Sequence, residues 1–518
     1  MIALHLDHVH INFKELLGFS AVFLSKSVGK VKKYPGAHMN LFALPTACSF
    51  CYTYRMTAPK HSFACAGYHQ VSRRHALKVG GLGLLGLALP QLLRAEALKK
   101  GPKARAKSVI FLFQFGGPSH IDMFDMKPDA PEAIRGSHKP ISSSADGIAI
   151  SEHLPRLAKV MDKVTLIRSM HHRMNNHNPA SYYALTGHAP PVDDITLRDS
   201  PELYPAYGSV VDHLAPLDDA LPTSVALPYV IGDGTITPGQ GGSFLGKMHD
   251  PLLVTRDPNK PDFKLPELNL PAGVTYERLM HRRSIQKIID GQSQVLAHSA
   301  QARGMDAYYE KALAMLDSPK LREAFNLGAE SEKVRDSYGR TTYGQSCLIA
   351  RRLVEAGSKF VTVYFSPNIG GDVGSGWDTH GNNDKKMFPV MEKYHLPMTD
   401  QTLPTLLEEL DERGLLETTL VVWMGEFGRT PKINSKASRD HWPQCYTVLL
   451  AGGGVKRGFI YGASDKTAAF PTKDPVRPDD LAATVYYLLG IDPHTEVLAP
   501  GDRPVLISEG SPVTGVIA

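Results

Sequence analysis

Continuous apolar runs alternate with helical periodicity along most of this chain. The run "SVIFLFQF", residues 108–115, is apolar for the length of a buried strand and then breaks into a Gly-Gly-Pro loop. Much later, "GQSCLIARRLVEAGSKFVTVYF" keeps helical spacing up to Glu355, stops at Gly357 and continues as a strand from Phe360. The pattern predicts a buried strand, a helix and a second strand.

The same alternation continues toward the C-terminus. The stretch "PTLLEELDERGLLETTLVVWMGEFG" predicts a helix, a break at Gly414 and a strand through residues 421–422. "YTVLLAGGG" predicts another strand, and "RPDDLAATVYYLLG" predicts a helix capped by Asp479 or Asp480 that ends at Gly490. Helices that alternate with buried strands predict an α/β sandwich around a largely parallel sheet.

One long segment interrupts this alternation. Residues of about 200–345 are first rich in proline, glycine and aspartate and then become helical. We interpret this segment as a partly helical insertion within an α/β domain that covers residues 98–518.

The N-terminal part predicts export. In "SRRHALKVGGLGLLGLALPQLLRAEA", the pair Arg73 and Arg74 precedes an apolar run over residues 79–93 and an A-x-A-like site ending at Ala97. This order predicts a twin-arginine signal peptide over residues 71–97, with a periplasmic or extracellular mature protein. The alternative is a signal that stays uncut and anchors the protein to the membrane.

Residues 1–70 are unusual for a signal peptide. We interpret them as a disordered extension or as a mis-called start, because Met56 offers a second start just upstream of the twin arginine. They contain a single C-x-x-C, Cys48 to Cys51, which is a weak metal signal without a second pair. Only Cys347 and Cys445 fall in the exported part, which predicts that no disulfide framework stabilises it.

The distribution of charge along the chain bears on whether the protein binds nucleic acid. The formal net charge of the chain is +5, but residues 1–97 contain 11 Lys+Arg and 3 Asp+Glu. That balance of +8 leaves −3 for residues 98–518, so the basic character belongs to the leader. The body of the protein lacks the basic pattern of a nucleic-acid binder, and no nucleic-acid partner is expected.

Four polar clusters follow predicted strands or lie in loops. Their members are Ser119, His120, Asp122 and Asp125; His171, His172, His177 and His188; Asp378 and His380; and Glu426, Arg429, Asp440 and His441. Ligands of α/β sheets bind at the carboxyl ends of the strands, where these loops converge. The clusters therefore predict one site at one edge of the sheet.

Carboxylates and imidazoles at such an edge are typical of a divalent metal site. Asp378, His380 and His441 would supply three ligands and leave one position open for water. Arg429 has two alternatives, since it can pair with an anionic substrate group or with a neighbouring carboxylate. Each of these residues also has a structural alternative as a capping group or a solvated loop side chain. Of His171, His172 and His188, we expect at least one to be a structural hydrogen-bonding residue.

Several motifs together resemble a known family. "GGPSHIDMFDMKPD", "NHNPASYYALTGHAP", "GWDTHGNN", "VVWMGEFGRTP" and "RDHWP", in this order and with the twin-arginine leader, resemble the secreted family called domain of unknown function 1501. The resemblance spans roughly residues 70–510. That family is similar to the alkaline phosphatase and sulfatase superfamily, whose members are metal-dependent hydrolases of phosphate and sulfate esters on an α/β/α sandwich.

The resemblance implies one intact metal site and one altered site. Asp378 and His380 match an expected aspartate–histidine pair, and His441 matches a later histidine of the superfamily. In the strand-ending S-D-H-G pattern, Glu426 replaces the aspartate and Phe427 replaces the histidine. Glycines stand where the first strand should deliver an aspartate, so the resemblance offers Asp122, a few residues later, as the replacement ligand.

The stretch "HNPASYYALTG" resembles the sulfatase motif that contains the nucleophile, and this resemblance implies which residue stands at the nucleophile position. The motif's proline matches Pro179 and its Leu-Thr-Gly tail matches residues 185–187, which aligns His177 with the nucleophile. His177 then has three alternatives, a metal ligand, a general base or a phosphorylatable nucleophile, of which we favour the first two; Ser181 is the fallback hydroxyl. Because the mature cysteines lie elsewhere, a formylglycine made from cysteine is not expected.

These implications give two hypotheses of different classes. The first is an exported hydrolase of phosphate or sulfate esters, of a small molecule or a polysaccharide, with a bound divalent ion (Zn, Mn or Ca). The second is a non-catalytic member that binds a ligand or a partner in the cell envelope. Phe427 and the missing serine or cysteine nucleophile favour the second.

Overall fold

An eight-stranded sheet lies at the centre of the protein, as seen in a computed structural model. Its strands in chain order are β1 (Ser108–Phe113), β2 (Val164–Met170), β3 (Ser224–Leu227), β4 (Leu252–Leu253), β5 (Phe360–Tyr364), β6 (Thr419–Met424), β7 (Tyr446–Ala451) and β8 (Phe459–Tyr461). The order across the sheet is β8-β2-β7-β6-β1-β5-β3-β4. Strand β7 is antiparallel to both neighbours, and the other pairings in this sheet are parallel. The predicted largely parallel sheet is confirmed.

The structure describes residues 101–217, 220–265, 275, 277–282, 284, 311–370, 376–381 and 385–518. The predictions for the extension over 1–70 and for the signal peptide over 71–97 lie outside the described residues. Among the helices that are described, none is both long and apolar enough to cross a membrane. Cys347 and Cys445 are buried and free.

Helices cover both faces of the sheet. The longer described helices are α1 (His177–Thr186), α2 (Tyr207–Leu214), α3 (Thr342–Ala356), α4 (Leu396–Glu412) and α5 (Pro478–Leu488). Alternate residues of a strand point to opposite faces. Accordingly, Ile110 packs in the cluster with α3 and α4, whereas Phe111 packs in the cluster with α1, α2 and α5. The predicted α/β/α sandwich is confirmed.

Shorter elements connect these layers. The helical ones are His120–Met123, Glu132–Arg135, Leu157–Lys163, Ser243–Leu245, Lys247–His249, Pro319–Ala324, Leu327–Ala329, Glu332–Ser337, Met387–Val390, the π-helical turn Met391–His395, Leu416–Thr418 and Thr514–Val516. The two-stranded ribbons pair Pro140–Ser142 with Ala149–Ser151, Gly232–Asp233 with Thr235–Ile236, Gly428–Arg429 with His441–Trp442, Ala463–Ser464 with Pro471–Lys473, and Glu496–Ala499 with Arg503–Leu506.

Local sequence signals set the ends of the long helices. The Thr341 hydroxyl caps α3 by accepting a backbone N–H of the first turn, and Gly357 ends α3 in the left-handed region with φ of 112°. For α5 the prediction was wrong in detail. Arg477 occupies the cap position, and the Asp480 carboxylate reaches back to accept the Arg477 N–H at 3.0 Å, so neither aspartate is the cap residue itself.

The segment predicted as an insertion over 200–345 contributes to the main sheet. Strands β3 and β4 lie within it and extend the sheet beyond β5, with Val225 opposite Val361. Residues 224–253 of the segment predicted as an insertion thus include two strands of the main sheet. These strands are short and surrounded by proline and glycine, so their apolar residues do not form a pattern long enough to indicate a strand.

The topology brings the polar loops to one edge. Strands β5, β1 and β6 are adjacent and parallel, so the loops after residues 364, 113 and 424 leave the sheet at the same side. The antiparallel β7 begins at this side, and the loop after β2 leads into α1 there. This edge carries the residues described next.

Candidate functional site

Asp378 is the centre of a cluster of three histidines. Its Oδ1 lies 2.8 Å from His380 Nε2 and 3.0 Å from His441 Nε2, and its Oδ2 lies 3.5 Å from His177 Nε2. The Nε2 atoms of His380 and His441 are 3.0 Å apart. Ligand atoms of His177, Asp378 and His441 all lie within 4.8 Å of one another, and the shorter distances place His380 in the same group. We call these four residues the Asp378 cluster.

The loop that carries Asp378 is fastened to the end of β1. Trp377 N–H donates to the Phe115 carbonyl at 2.9 Å, and Asp378 N–H donates to the Ile369 carbonyl at 2.8 Å. Gly116 has φ of +105°, and a Cβ there would lie 2.1 Å from the Ile369 oxygen and 2.5 Å from Asp378 N. A glycine stands at the tip of β1 because the Asp378 loop crosses directly over it.

Gly116→Ala should therefore destabilise the protein and displace the Asp378 loop. Backbone strain and the steric clash together are expected to lower the free energy of unfolding by about 2–3 kcal/mol, measured by urea denaturation. The matched control is Gly414→Ala, since Gly414 also has positive φ but open space around it; that change should cost only about 1 kcal/mol. Equal losses in the two variants would contradict the steric argument.

In His380 and His441, the hydrogen bond made by Nδ1 determines whether Nε2 carries a hydrogen or a lone pair. His380 Nδ1 lies 2.9 Å from the Asp440 carboxylate, and His441 Nδ1 lies 2.8 Å from the Asn175 carbonyl. Both partners only accept hydrogen bonds, so each Nδ1 carries the hydrogen and each neutral ring keeps a lone pair on Nε2. Burial lowers the pKa of His441 to about 4, against the raising effect of its contact with Asp378, so this ring is neutral near pH 7.

Three electron-pair donors thus face one another at about the spacing of metal ligands. They are Asp378 Oδ1, His380 Nε2 and His441 Nε2, separated by 2.8–3.0 Å. Ligand atoms held about 2.0–2.1 Å from a tetrahedral zinc ion lie about 3.3 Å apart. The residues present therefore fit a divalent ion.

Arg429 is turned inward and holds the cluster. It is 1% exposed, and its guanidinium donates to Asp378 Oδ1 at 2.7 Å, to the Gly117 carbonyl at 2.8 Å and to the Trp377 carbonyl at 3.2 Å. Of the two alternatives from the sequence, the structure has the pairing with a carboxylate. The donors of Arg429 are therefore engaged inside the protein, and a direct catalytic role for Arg429 stays a prediction.

Asp378 is an ionised carboxylate in this setting. Burial raises its pKa, but the charge of Arg429 and the hydrogen bonds from the histidines outweigh burial and hold the pKa far below its usual range. The cluster therefore contains an ionised carboxylate at its centre, and Arg429 balances part of its charge.

His177 forms a buried pair with Glu426. Its Nδ1 lies 2.7 Å from Glu426 Oε1, which also accepts the Gly116 N–H at 2.8 Å. Burial lowers the pKa of His177, yet Asp378 and Glu426 together raise it to about 9. Glu426 was predicted as a metal ligand; the structure instead pairs it with His177, because the imidazole lies between Glu426 and Asp378.

Phe427 packs beside the cluster. Its ring centroid lies 5.0 Å from that of His177 and 4.4 Å from that of His441. The aromatic ring supplies no ligand atom where the resemblance expected a histidine. It gives the two histidines an apolar neighbour that limits their contact with water.

Two predicted site residues do not join the Asp378 cluster. Both oxygens of Asp122 accept hydrogen bonds from Arg439, at 2.7 and 2.9 Å, and the role of Asp122 as a metal ligand stays a prediction. Ser181 is buried in α1, and its hydroxyl hydrogen-bonds to none of the described residues. The structure therefore gives Ser181 no hydrogen bond to the cluster that would support a nucleophilic role.

The other histidines have structural partners. His172 Nε2 lies 2.6 Å from the Glu426 carbonyl and its Nδ1 accepts the Met174 N–H; His188 Nε2 lies 3.0 Å from the Ile507 carbonyl. The expectation of at least one structural histidine is confirmed. The sequence predicts no specific partner for either of the two rings, His380 and His441. Asp440 was visible beside His441 in "RDHWP", whereas the Asn175 carbonyl has no sequence signal because any residue supplies one.

A family model described as "Protein of unknown function (DUF1501)" matches residues 106–517. This chain belongs to that family. The matched region contains every residue of the Asp378 cluster together with Glu426 and Arg429. The DUF1501 resemblance expected from the motifs is thus confirmed. No curated protein matches the chain in sequence.

Solved structures similar to this DUF1501 protein include three from bacteria. PsFucS1 sulfatase from Pseudoalteromonas sp. is 14% identical over 78% of this chain and 72% of that chain, with a TM-score of 0.35. The lipoteichoic acid synthase LtaP from Listeria monocytogenes is 11% identical over 79% and 76%, with a TM-score of 0.33. A putative sulfatase from Bacteroides thetaiotaomicron is 12% identical over 80% and 74%, with a TM-score of 0.36. At these values the similarity assigns no substrate or catalytic residue to this chain.

Proposed function

We propose that this protein holds a divalent metal ion at Asp378, His380 and His441 and hydrolyses a phosphate or sulfate ester. The observation that carries the proposal is the convergence of three electron-pair donors within 3.0 Å, with the hydrogens of both rings directed to other partners. Lone pairs at such distances repel unless a cation lies between them. Two imidazoles and one carboxylate suit zinc or manganese better than calcium, which prefers oxygen ligands.

The bound ion would polarise the ester and lower the pKa of a coordinated water. The chain's own residues prepare the site for that chemistry. Asp440 and the Asn175 carbonyl orient the two ligand rings, and Arg429 orients Asp378. Phe427 shields one side of the His441 ring from water.

His177 would carry the proton. Its Nε2 faces Asp378 Oδ2 at 3.5 Å, while Glu426 accepts the hydrogen bond from Nδ1 and stabilises the charged ring. Because the pKa of His177 is about 9, the ring is charged near pH 7, and its Nε2–H would donate a proton to the leaving group of the ester. This role needs no serine or cysteine nucleophile.

Export completes the proposal. The twin-arginine pattern over residues 71–97 supports a periplasmic or extracellular protein. That route carries folded proteins, often with a metal already bound, which agrees with a site assembled from several distant loops. The substrate class would then be an ester of a small molecule or of a polysaccharide outside the cytoplasm.

The buried His177–Glu426 pair favours a second candidate function. A histidine with a pKa of about 9 places a positive charge beside Asp378, where the resemblance implies a second metal ion. A protein with one metal and one internal cation can bind an anionic ligand without hydrolysing it. This candidate is a binding protein of the cell envelope.

One experiment tests both candidates. The full chain is purified, loaded with Zn²⁺ or Mn²⁺ and analysed for bound metal, beside His441→Ala and the exposed control His494→Ala. His441→Ala should hold one equivalent less than wild type, whereas the control should match it. Turnover is measured with 4-nitrophenyl phosphate and 4-nitrophenyl sulfate. Unchanged metal in His441→Ala would overturn the site, and bound metal without turnover of either ester would favour the binding protein.

His177→Gln and Glu426→Gln test the proposed role of His177 in proton transfer. Each is expected to lower kcat about 100-fold or more while the metal content stays at the wild-type level, since the metal ligands remain. The measurement is kcat and KM together with metal analysis. Wild-type kcat in both variants would contradict the assignment, and loss of metal from His177→Gln would make His177 a ligand instead.

A further inference from the structure

A second cluster of histidines and a carboxylate lies apart from the Asp378 cluster. His138 and His153 flank the ribbon of Pro140–Ser142 and Ala149–Ser151, and Glu392 lies in the π-helical turn Met391–His395. One ligand atom from each of the three side chains lies within 4.8 Å of the others. His138 Nε2 is 3.2 Å from Glu392 Oε1, and the two imidazole centroids are 4.5 Å apart.

The hydrogen-bond partner of His138 Nδ1 determines whether His138 Nε2 carries a hydrogen or a lone pair. Nδ1 lies 3.2 Å from the Asp122 carbonyl, which only accepts, so Nδ1 carries the hydrogen. The Nε2 lone pair of the neutral ring then faces a carboxylate oxygen of Glu392, which also only accepts. A cation between the two atoms would remove the repulsion between their electron pairs. A proton would bridge His138 and Glu392 alone, whereas a metal ion also explains the presence of His153.

We infer that His138, His153 and Glu392 form a second divalent-metal site, with a preference for zinc or a similar borderline ion. Two imidazoles and one carboxylate are a donor set typical of zinc. The His138 side chain is fully buried, His153 is half-buried, and Glu392 is 41% exposed. The ion would thus be anchored from inside the protein and reached from the surface.

Such an ion would brace two segments that support the Asp378 cluster. On one side, the Asp122 carbonyl holds His138 while the Asp122 carboxylate holds Arg439, two residues before His441. On the other side, the turn that carries Glu392 also carries His395, whose ring centroid lies 4.6 Å from that of Trp377. Trp377 directly precedes Asp378. The inferred role is structural, and it does not depend on ester hydrolysis.

Counting bound zinc in single and combined variants of the full chain tests the inference. His153→Ala and Glu392→Gln change side chains that are partly exposed, so the fold should tolerate them. Each should hold one equivalent of Zn²⁺ less than wild type after equilibrium dialysis. Asp378→Asn should lose the other equivalent, and Asp378→Asn combined with Glu392→Gln should lose both. The exposed control Glu132→Gln should match wild type.

A second readout separates the two sites. In the Asp378→Asn background, Zn²⁺ should raise the melting temperature, and the addition of Glu392→Gln should abolish that rise. Circular dichroism without metal checks that every variant is folded. Full zinc content in both His153→Ala and Glu392→Gln would overturn the inference, as would a wild type that binds no more zinc than Glu392→Gln. Either result is independent of whether the Asp378 cluster hydrolyses esters.

Discussion

Asp378→Asn is expected to remove the metal ion of the Asp378 cluster and to lower ester turnover by about 10³-fold or more, because the ion supplies several kcal/mol of transition-state stabilisation. Asparagine keeps the volume of the side chain and an oxygen for Arg429, but it removes the negative charge. That charge is the point on which His380, His441 and Arg429 converge. The measurement is metal content together with kcat/KM.

Two other aspartates provide graded controls for this variant. Asp440→Asn removes the carboxylate that orients His380 and should weaken metal binding about 10–100-fold without abolishing it. Asp129→Asn, at an exposed position, should change neither quantity. If Asp378→Asn retained metal and turnover like Asp129→Asn, the assignment of the cluster would be wrong.

Arg439→Met is expected to destabilise the folded state by about 3–5 kcal/mol, because it leaves the Asp122 carboxylate buried without its partner. Both side chains are fully buried, and the guanidinium holds both carboxylate oxygens. Arg439 also donates to the carbonyls of Thr430 and Ile134, at 3.0 and 2.7 Å. The measurement is the free energy of unfolding from urea denaturation.

The double variant Asp122→Leu with Arg439→Met distinguishes pairing from metal binding. If the two residues only stabilise each other, the double variant should lose less stability than Arg439→Met alone, since neither charge remains buried. Arg340→Met, which removes a surface ion pair with Asp336, should cost under about 1 kcal/mol. If Asp122→Asn in the otherwise native chain removed a metal equivalent, the structural interpretation of Asp122 would fail.

Local patterns in the sequence predicted much of the fold. Continuous apolar runs such as residues 108–115 are long enough to indicate buried strands, and Gly357 and Gly414 mark helix ends through backbone conformations that glycine adopts easily. Strands β3 and β4 escaped prediction because they are short and lie in a region of high proline content. Their strand conformation depends on pairing with β5, which is distant in the sequence.

The sequence also predicted which polar loops lie close together, since every loop that follows a parallel strand leaves at the same edge of the sheet. Asp378, His380, His441 and His177 meet there. The sequence did not predict which side chains pair with the charged residues of these loops. Asp122, Glu426 and Arg429 were plausible ligands or substrate contacts by residue type, and each proved to be engaged by another side chain of the protein.

By itself, then, the amino-acid sequence determined the class of fold, the family and the polar loops that meet at one edge of the sheet, because these depend on local periodicity, order along the chain and residue type. Only the tertiary structure decided which charges face each other. Three side-chain pairs form across the chain: Arg439 with Asp122, Arg429 with Asp378, and His177 with Glu426. Their members are separated by 317, 51 and 249 residues in the sequence. Electrostatic partners are set by distance and burial in space, and no local pattern encodes contacts between residues so far apart.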